Sequence, residues 1–262
     1  MSNLIEFKKS KIILNEKEII EDFNFVVKEN RHVGVIGPAA CGKTTILKAL
    51  ACIAYADEMF IEGYNMHRSR KYIFDKVAVV LNSGEFICEN VYSELGFALQ
   101  NLNKDKNYIK EQVENIAEIF GLTKYLDSDI SLLSKEQRIL VKILSYLIWG
   151  PKVIAIDDLF IYLNREIKDK IMNYINDNKI TLLLVTSDIE DTMYTDYIYI
   201  MYKQRIITEG YKINIYENCE KLLNKIGYGL PFLPDLSTQL KHYDLLDKIY
   251  FSKEELAGDL WK

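Results

Sequence analysis

The chain has 262 residues, of which 49% are hydrophobic and 27% are charged, and its formal net charge is -5. This composition is typical of a globular protein that is long enough for one large α/β domain, or for one domain with an appendage. The acidic balance argues against a nucleic-acid-binding surface as the main function, and we expect no nucleic acid among the partners.

Short apolar runs separated by charged turns predict a small antiparallel sheet at the start of the chain. The expected strands are residues 4–7, 12–14 and 19–27. A further apolar run at residues 33–36 leads into a glycine-containing segment, and a helix-favouring segment follows it. Strand, glycine loop and helix are therefore expected in that order.

After the loop the chain alternates between apolar strands and helices. Strands are expected at residues 58–61, 77–81, 152–158, 180–186, 197–201 and 204–208, and helices at 91–99, 108–120, 134–149 and 165–176. Strands separated by helices imply right-handed crossovers and a parallel sheet that is covered on both faces. The helical block between 91 and 134 indicates an inserted subdomain. Beyond residue 216 we expect an irregular appendage with short helical pieces.

The glycine-containing segment fills the pattern G-x-x-x-x-G-K-S/T with Gly37, Gly42, Lys43 and Thr44. Its glycines allow successive backbone N–H groups to converge on phosphate oxygens. Lys43 adds a cation, Thr44 a hydroxyl for Mg²⁺, and the following helix adds its free N–H groups. The segment is therefore predicted to bind a nucleotide phosphate. Its residues are Gly37, Pro38, Ala39, Ala40, Cys41, Gly42, Lys43, Thr44 and Thr45.

A second phosphate element is indicated by Asp157, which ends a strand of four apolar residues. A magnesium ion that bridges β- and γ-phosphates needs carboxylate support, and a strand-end aspartate can supply it. Taken alone, such an aspartate could instead only cap the next helix. The phosphate loop favours the magnesium interpretation.

The order of the motifs resembles the ATPase subunit of an ABC transporter from about residue 4 to residue 210. The phosphate loop, a helical insert, Leu133-Ser134-Lys135-Glu136-Gln137, the Asp157 strand and Thr186-Ser187-Asp188 follow in the family's order. Residues 91–97 and 229–236 resemble the energy-coupling factor (ECF) importers of that family, which take up vitamins and metal ions.

The resemblance implies an ABC-type (RecA-like) P-loop NTPase fold, in which an α/β, mostly parallel sheet has helices on both faces. An N-terminal antiparallel β subdomain and a helical subdomain at about 85–140 belong to a domain at 1–215, and 216–262 is a C-terminal extension. It also implies ATP and Mg²⁺ as cofactors, a second ATPase subunit in a head-to-tail dimer, and a polytopic membrane component. With no signal-peptide pattern and no long apolar run, we expect a cytoplasmic chain, peripheral on the inner face of the cell membrane.

Several nucleotide-contacting positions of the family differ in this sequence. Leu14 stands where an aromatic residue usually stacks on adenine, and Asn82 replaces the glutamine that senses the γ-phosphate. Together with Thr44 and Asp157, Asn82 is a candidate magnesium-binding residue. Of the signature that binds the γ-phosphate of the opposite subunit, Ser134 and Gln137 remain, while Lys135 and Glu136 replace its glycines. We therefore expect this signature segment to bind the γ-phosphate of the opposite subunit more weakly.

The positions that support hydrolysis differ as well. Asp158 replaces the glutamate that acts as general base, Ser187 replaces a histidine that contacts the γ-phosphate, and Asn164 replaces an aspartate in the segment between subunits. A carboxylate displaced by one methylene, roughly 1.5 Å, can lower the rate on the order of a hundredfold. The sequence therefore predicts that MgATP binding is retained and that hydrolysis is weakened.

Alternatives remain open at this point. The chain could be an active ATPase subunit, a binding-only partner subunit, or an ABC-type ATPase outside transport, for example in DNA repair or cofactor assembly. Phosphate-loop kinases have no place for the segment 134–137. The sequence does not decide between a homodimer and a heterodimer. Between Asn82 and Phe97 the family docks short helices of its membrane partner, and Phe86, Ile87 and Val91 are candidates for this contact or for core packing.

Overall fold

The structure of this chain is a computed structural model that describes residues 2–66, 68 and 75–260. The strands in chain order are β1 (Asn3–Leu14), β2 (Lys17–Lys28), β3 (Val33–Ile36), β4 (Tyr55–Ala56), β5 (Met59–Ile61), β6 (Tyr64–Asn65), β7 (Val77–Val80), β8 (Val153–Asp157), β9 (Thr181–Thr186), β10 (Tyr197–Tyr202) and β11 (Arg205–Tyr211). The α-helices are α1 (Lys43–Leu50), α2 (Val91–Asn101), α3 (Lys106–Ile119), α4 (Lys135–Leu147), α5 (Arg165–Asp177), α6 (Lys212–Asn218), α7 (Glu220–Lys225), α8 (Phe232–His242) and α9 (Lys253–Leu260). None of the helices in the described ranges has both the length and the apolar content that crossing a membrane requires.

The first sheet is antiparallel and confirms the expected N-terminal β subdomain. Its strand order is β2-β1-β5-β6, and β4 also pairs with β1. Phe7, Phe23 and Phe25 lie on its buried side, and the ring centroids of Phe7 and Phe23 are 5.3 Å apart. This aromatic cluster gives the sheet a packed face, without which so small a sheet would be unstable in water.

Strand β1 is continuous where the sequence predicts two strands separated by a turn. Lys9 has a φ of 44°, and the register with β2 shifts between Phe7 and Ser10. The backbone N–H of Lys9 donates to the side chain of Asn24 at 3.0 Å. The predicted charged turn between the strands at 4–7 and 12–14 was therefore wrong, because a β-bulge absorbs the irregularity without ending the strand.

The second sheet has the order β11-β10-β3-β9-β8-β7, and its strands are parallel except for β11. Alternate residues of β8 face opposite sides, as the pleat requires. Ile154 and Ile156 pack in the same cluster as α4 and α5, whereas Val153 and Ala155 pack in the cluster that contains α1 and the antiparallel sheet. Helices thus cover both faces, as expected for continuous apolar strands.

Parallel strands end at the same edge of a sheet, so the residues that follow them come together there. Gly37 follows β3, Asp158 follows β8 and Ser187 follows β9, and these three strands are neighbours in the order β3-β9-β8. The topology therefore places the phosphate loop, the paired aspartates and Ser187 at one edge.

The C-terminal extension is more helical than the sequence indicates, since α6 to α9 occupy much of it. Its Tyr216, Leu223 and Leu230 form a buried cluster with Ile36 of β3 and Ile200 of β10. The extension therefore packs directly against the strand that leads into the phosphate loop.

Candidate nucleotide site

The phosphate loop joins β3 to α1 in a backbone shape that depends on glycine. A Cβ atom at Gly37 would lie 2.2 Å from the carbonyl oxygen of Met201, which no side chain could tolerate. Gly42 has a φ of 103° and begins α1 without a side-chain cap. The N-terminus of α1, whose backbone N–H groups can bind an anion, consequently lies at the loop.

Lys43 is buried and lies across the mouth of this loop. Its ammonium group donates to the carbonyl oxygen of Gly37 and, at 3.2 Å, to that of Pro38. These bonds hold the cation against the backbone at the start of the loop. Lys43 is thus already inside the site as a charged donor.

Thr44 and Asp157 meet across the loop. The hydroxyl of Thr44 donates to the carboxylate of Asp157 at 3.0 Å, although the two residues lie on α1 and at the end of β8. Asp157 is buried, and this burial raises its pKa, while the bonds from Thr44 and from the backbone of Asn82 oppose the shift. A hydroxyl and a carboxylate are the hard oxygen donors that Mg²⁺ prefers, so these residues fit the ion.

Asn82 follows β7 and is exposed. Its backbone hydrogen bonds to Asp157, and its carbonyl oxygen accepts from the ammonium group of Lys142 at 3.4 Å. Lys142 also donates to the carbonyl oxygen of Gly84 at 3.0 Å, which ties α4 to this loop. The backbone of Asn82 therefore lies next to Asp157, and the contact made by Lys142 is one that no sequence pattern indicates.

Asp158 and Ser187 form a second pair beside the loop. The Ser187 hydroxyl lies 2.7 Å and 2.8 Å from the two carboxylate oxygens of Asp158, and the Ser187 N–H donates at 2.8 Å. Asp158 also has a φ of 52°, which is unusual for a residue other than glycine, and its N–H donates to Val185 at 2.8 Å. The carboxylate is consequently held in one orientation by its neighbours.

Ser134 and Gln137 bond to each other at the start of α4. The side chain of Gln137 accepts from the N–H of Ser134 at 2.9 Å, and the Ser134 hydroxyl accepts from the N–H of Gln137 at 3.2 Å. This is a capping box, which satisfies two free donors of the helix. In the described part of the chain no hydrogen bond joins either residue to the phosphate loop of the same chain.

The two residues that replace the signature glycines contact the segment after Asp158. The Lys135 ammonium group lies 3.4 Å from the centroid of the Tyr162 ring, and the Glu136 carboxylate accepts from the N–H of Asn164 at 2.7 Å. The first contact is a cation–π interaction, and the second satisfies a donor at the start of α5. Both side chains are therefore engaged within their own chain.

Leu14 ends β1 and lies apart from these bonds. It pairs with Lys17 across the hairpin and is half-buried against the cluster that contains the antiparallel sheet. An aliphatic surface remains available there, without a π face.

Two further contacts to the phosphate loop come from distant parts of the chain and were missed by the sequence analysis. Tyr228 donates its hydroxyl to the Gly37 carbonyl at 2.7 Å, and Gln204 donates its side-chain amide to the Ala40 carbonyl at 3.2 Å. They lie in the C-terminal extension and in the turn between β10 and β11. A local pattern carries no signal for contacts made over such separations.

An apolar groove of about 360 Å³ lies between the end of α1, β7, α2 and α4. Ile87, Phe97, Tyr146 and Trp149 line it, and Ile87 is 67% exposed. Glu94 fixes the loop that presents Ile87, because its carboxylate accepts from the N–H of Ile87 at 3.0 Å. Of the other two residues expected here, Phe86 is half-buried, and Val91 is a core residue with no exposed surface. For Val91 the core alternative is therefore correct.

A phosphate loop at the end of a central parallel strand, with an aspartate opposite its threonine, defines the class of P-loop nucleotide-binding proteins. The family described as ABC transporter matches residues 20–160, which is more than half of the chain. The chain therefore belongs to the ABC transporter family.

Individual relatives extend this finding over almost the whole chain. The energy-coupling factor transporter ATP-binding protein EcfA1 of Mycoplasmopsis synoviae (strain 53) is 25% identical, with 95% of each chain covered. The protein of the same name from Ligilactobacillus salivarius (strain UCC118) is 26% identical and covers 97% of this chain and 94% of its own. The resemblance to ECF ATPases that the motifs indicate is confirmed.

A solved structure confirms the fold. The structure of cbiO1 from Clostridium perfringens, described as part of the ABC transporter complex cbiONQ, has a TM-score of 0.73. At 19% identity it covers 90% of this chain and 99% of that one. The ABC-type arrangement of a parallel sheet, an antiparallel sheet and helices is thus the arrangement of this chain.

Proposed function

We propose that this chain is the ATP-binding subunit of an ECF-type importer. In this role it couples MgATP binding, in a head-to-tail dimer with a second ATPase subunit, to transport through a polytopic membrane component on the inner face of the cell membrane. The main supporting observation is the 3.0 Å bond between Thr44 and Asp157 beside the phosphate loop. The ECF names of relatives that span 95% of the chain support the transport role.

Each residue of the site has a role in holding the nucleotide. Backbone N–H groups of the phosphate loop and of the start of α1 would surround the phosphates, and Lys43 would place its charge between the terminal ones. Thr44, Asp157 and Asn82 would hold Mg²⁺, which neutralises phosphate charge when it is bound. Leu14 offers an apolar surface to the base. Calorimetry with MgATP tests this proposal, and the absence of heat from binding at millimolar nucleotide would refute it.

We infer that hydrolysis by this subunit is slow. A general base must reach the attacking water, whereas both carboxylate oxygens of Asp158 lie within hydrogen-bonding distance of the Ser187 hydroxyl. The aspartate stem is also one methylene shorter than the family's glutamate. The site therefore keeps the groups that bind the nucleotide, but it lacks the geometry that a general base needs for hydrolysis.

The double substitution Asp158→Glu with Ser187→His is expected to raise steady-state phosphate release in the purified complex by about tenfold, because it extends the base and frees it from the serine. The Kd for MgATP should stay within about twofold, since Lys43, Thr44 and Asp157 are unchanged. Ser187→His alone serves as the matched control. An unchanged turnover of the double variant would contradict the geometric explanation.

A binding-only subunit is the second candidate, and the contacts of Lys135 and Glu136 favour it. Both side chains are engaged with residues 162–164 of their own chain, so the start of α4 has fewer free groups for a phosphate held by another subunit. Labelled ATP that stays bound without phosphate release identifies this candidate. Labelled ATP that binds and is then hydrolysed, with phosphate released at a measurable rate, identifies an active ATPase subunit.

The apolar groove is the proposed docking site for the membrane component. Ile87→Asp is expected to abolish co-purification with that component, because a carboxylate would have to be buried without a partner. The substituted chain should keep its unfolding midpoint, since the Ile87 side chain is 67% exposed. Ile119→Asp, at a 43% exposed apolar residue of α3, is the control.

The same experiment separates transport from an ABC-type role elsewhere in the cell. A chain that never co-purifies with a polytopic membrane protein, in either its natural or its Ile119→Asp form, would refute the importer assignment. MgATP binding would survive that result, because it depends on the phosphate loop alone.

A further inference from the structure

The carbonyl oxygen of Gly37 receives two side-chain donors, one near in sequence and one distant. The ammonium group of Lys43 donates to it, and the hydroxyl of Tyr228 donates to it at 2.7 Å. Gly37 is buried, so its carbonyl depends on donors from the protein. Both donors therefore satisfy the same acceptor, the carbonyl oxygen of the first residue of the phosphate loop.

A nucleotide would affect these two donors differently. The ammonium group of Lys43 has three N–H donors, two of which bond to the carbonyls of Gly37 and Pro38. To bind two or more phosphate oxygens, it has to move at least one hydrogen bond from a carbonyl to a phosphate. Tyr228 has a single hydroxyl proton, which it donates to the Gly37 carbonyl. Its hydroxyl can remain on the Gly37 carbonyl whether or not a phosphate is bound.

Tyr228 is fixed well enough to do this. Its N–H donates to the carbonyl of Leu223 at 2.9 Å, and Gly227 before it has a φ of 91°. Leu223 is fully buried in the cluster that includes Ile36, the residue directly before the loop. Burial raises the pKa of the Tyr228 hydroxyl to about 12, so the group is protonated and can donate at neutral pH.

We propose that Tyr228 is a positioning residue of the nucleotide site. It keeps the Gly37 carbonyl satisfied, and the phosphate loop in its binding shape, when Lys43 turns to the phosphates. This inference rests on the proposed function, because it requires MgATP at the loop. The C-terminal extension is then a functional part of the site. The Tyr228 hydroxyl contributes more to the stability of the loop when a nucleotide is bound than when the site is empty.

Tyr228→Phe tests the proposal, since it removes the hydroxyl and keeps the ring. Without nucleotide, the unfolding midpoint is expected to change by less than about 2 °C, because Lys43 still donates to Gly37. The Kd for MgATP, measured by calorimetry, is expected to rise about tenfold, because the buried carbonyl loses its remaining side-chain donor. Tyr243→Phe, at a 78% exposed tyrosine of the same extension, is the matched control and should leave the Kd unchanged.

A second measurement separates positioning from a general structural role. In a Lys43→Met background, the Gly37 carbonyl depends on Tyr228 even without nucleotide. Adding Tyr228→Phe there is expected to lower the unfolding midpoint by about 3 °C or more, although the same change with Lys43 present does not. Equal effects of Tyr228→Phe in the two backgrounds would overturn the proposal.

The outcomes also separate this inference from the proposed function. If the natural chain binds MgATP and Tyr228→Phe changes the Kd by less than about twofold, the positioning role is refuted and the proposed function stands. If the natural chain takes up no MgATP, both are refuted. A weaker Kd together with a preserved midpoint supports the inference.

Discussion

Replacing Lys43 by methionine is expected to weaken MgATP binding by about a hundredfold or more. The ammonium group lies at the neck of the phosphate loop, where it already bonds to the carbonyls of Gly37 and Pro38. Bonds from a charged donor to phosphate oxygens contribute about 1.5–3 kcal/mol each, so the loss of two such bonds accounts for this factor. Methionine keeps a long apolar stem, which limits the change to the charge.

Calorimetry or fluorescent-nucleotide titration measures this effect. Lys48→Met, five residues further along α1 and half-buried, is the matched control, and it should leave the Kd for MgATP unchanged. Because Lys43 also satisfies two loop carbonyls, circular dichroism has to show that the variant is folded at the temperature of the titration. A Kd within about threefold of the natural value would contradict the assignment of the loop.

Asp157→Asn is expected to raise the Kd for MgATP by about a hundredfold. The Kd for ATP measured in EDTA, without magnesium, is expected to stay unchanged. The asparagine oxygen can still accept the hydroxyl of Thr44, which donates at 3.0 Å to the natural carboxylate. It lacks the negative charge that a divalent ion requires. The two titrations, with and without magnesium, isolate this charge.

The stability of the same variant provides a check on folding. Burial raises the pKa of Asp157, which means that its ionised form is disfavoured in the folded chain without magnesium. A neutral amide avoids this cost, so the unfolding midpoint in EDTA should be equal to or higher than that of the natural chain. Asp177→Asn, at an exposed position of α5, is the control for a lost surface charge. A lower midpoint for Asp157→Asn would mean that its effect on binding reflects damage to the fold.

Much of the site could be predicted from local patterns. The residues from Gly37 to Thr45 carry their chemistry in one uninterrupted segment, and Asp157 ends an apolar strand whose length and burial are evident from the sequence. The strand and helix that flank the loop follow from the same kind of pattern. Thr44 and Asp157 are 113 positions apart in sequence, and their side chains are joined by a 3.0 Å hydrogen bond. That they bind a nucleotide and Mg²⁺ stays a prediction.

Other features depend on tertiary contacts that local sequence patterns do not predict. The charged pair Lys8-Lys9 suggests a turn, but the adjacent β2 strand keeps β1 continuous through a bulge. Val91 opens an amphipathic helix and is equally suited to a groove or a core, and only the packing of α2 shows that it is buried.

The phosphate-loop pattern, the strand-end aspartate and the alternation of strands and helices are all evident in the amino-acid sequence, because each is encoded in a short continuous segment. The hydrogen bond from Tyr228 to Gly37, the bonds between Ser187 and Asp158, and the contacts of Lys135 and Glu136 within their own chain are evident only in the folded chain. These contacts join segments that are far apart in sequence, and they form because the sheet order brings several strand ends to one edge and the extension packs behind β3. Local propensity does not encode that order; it results from burying both faces of one sheet at once.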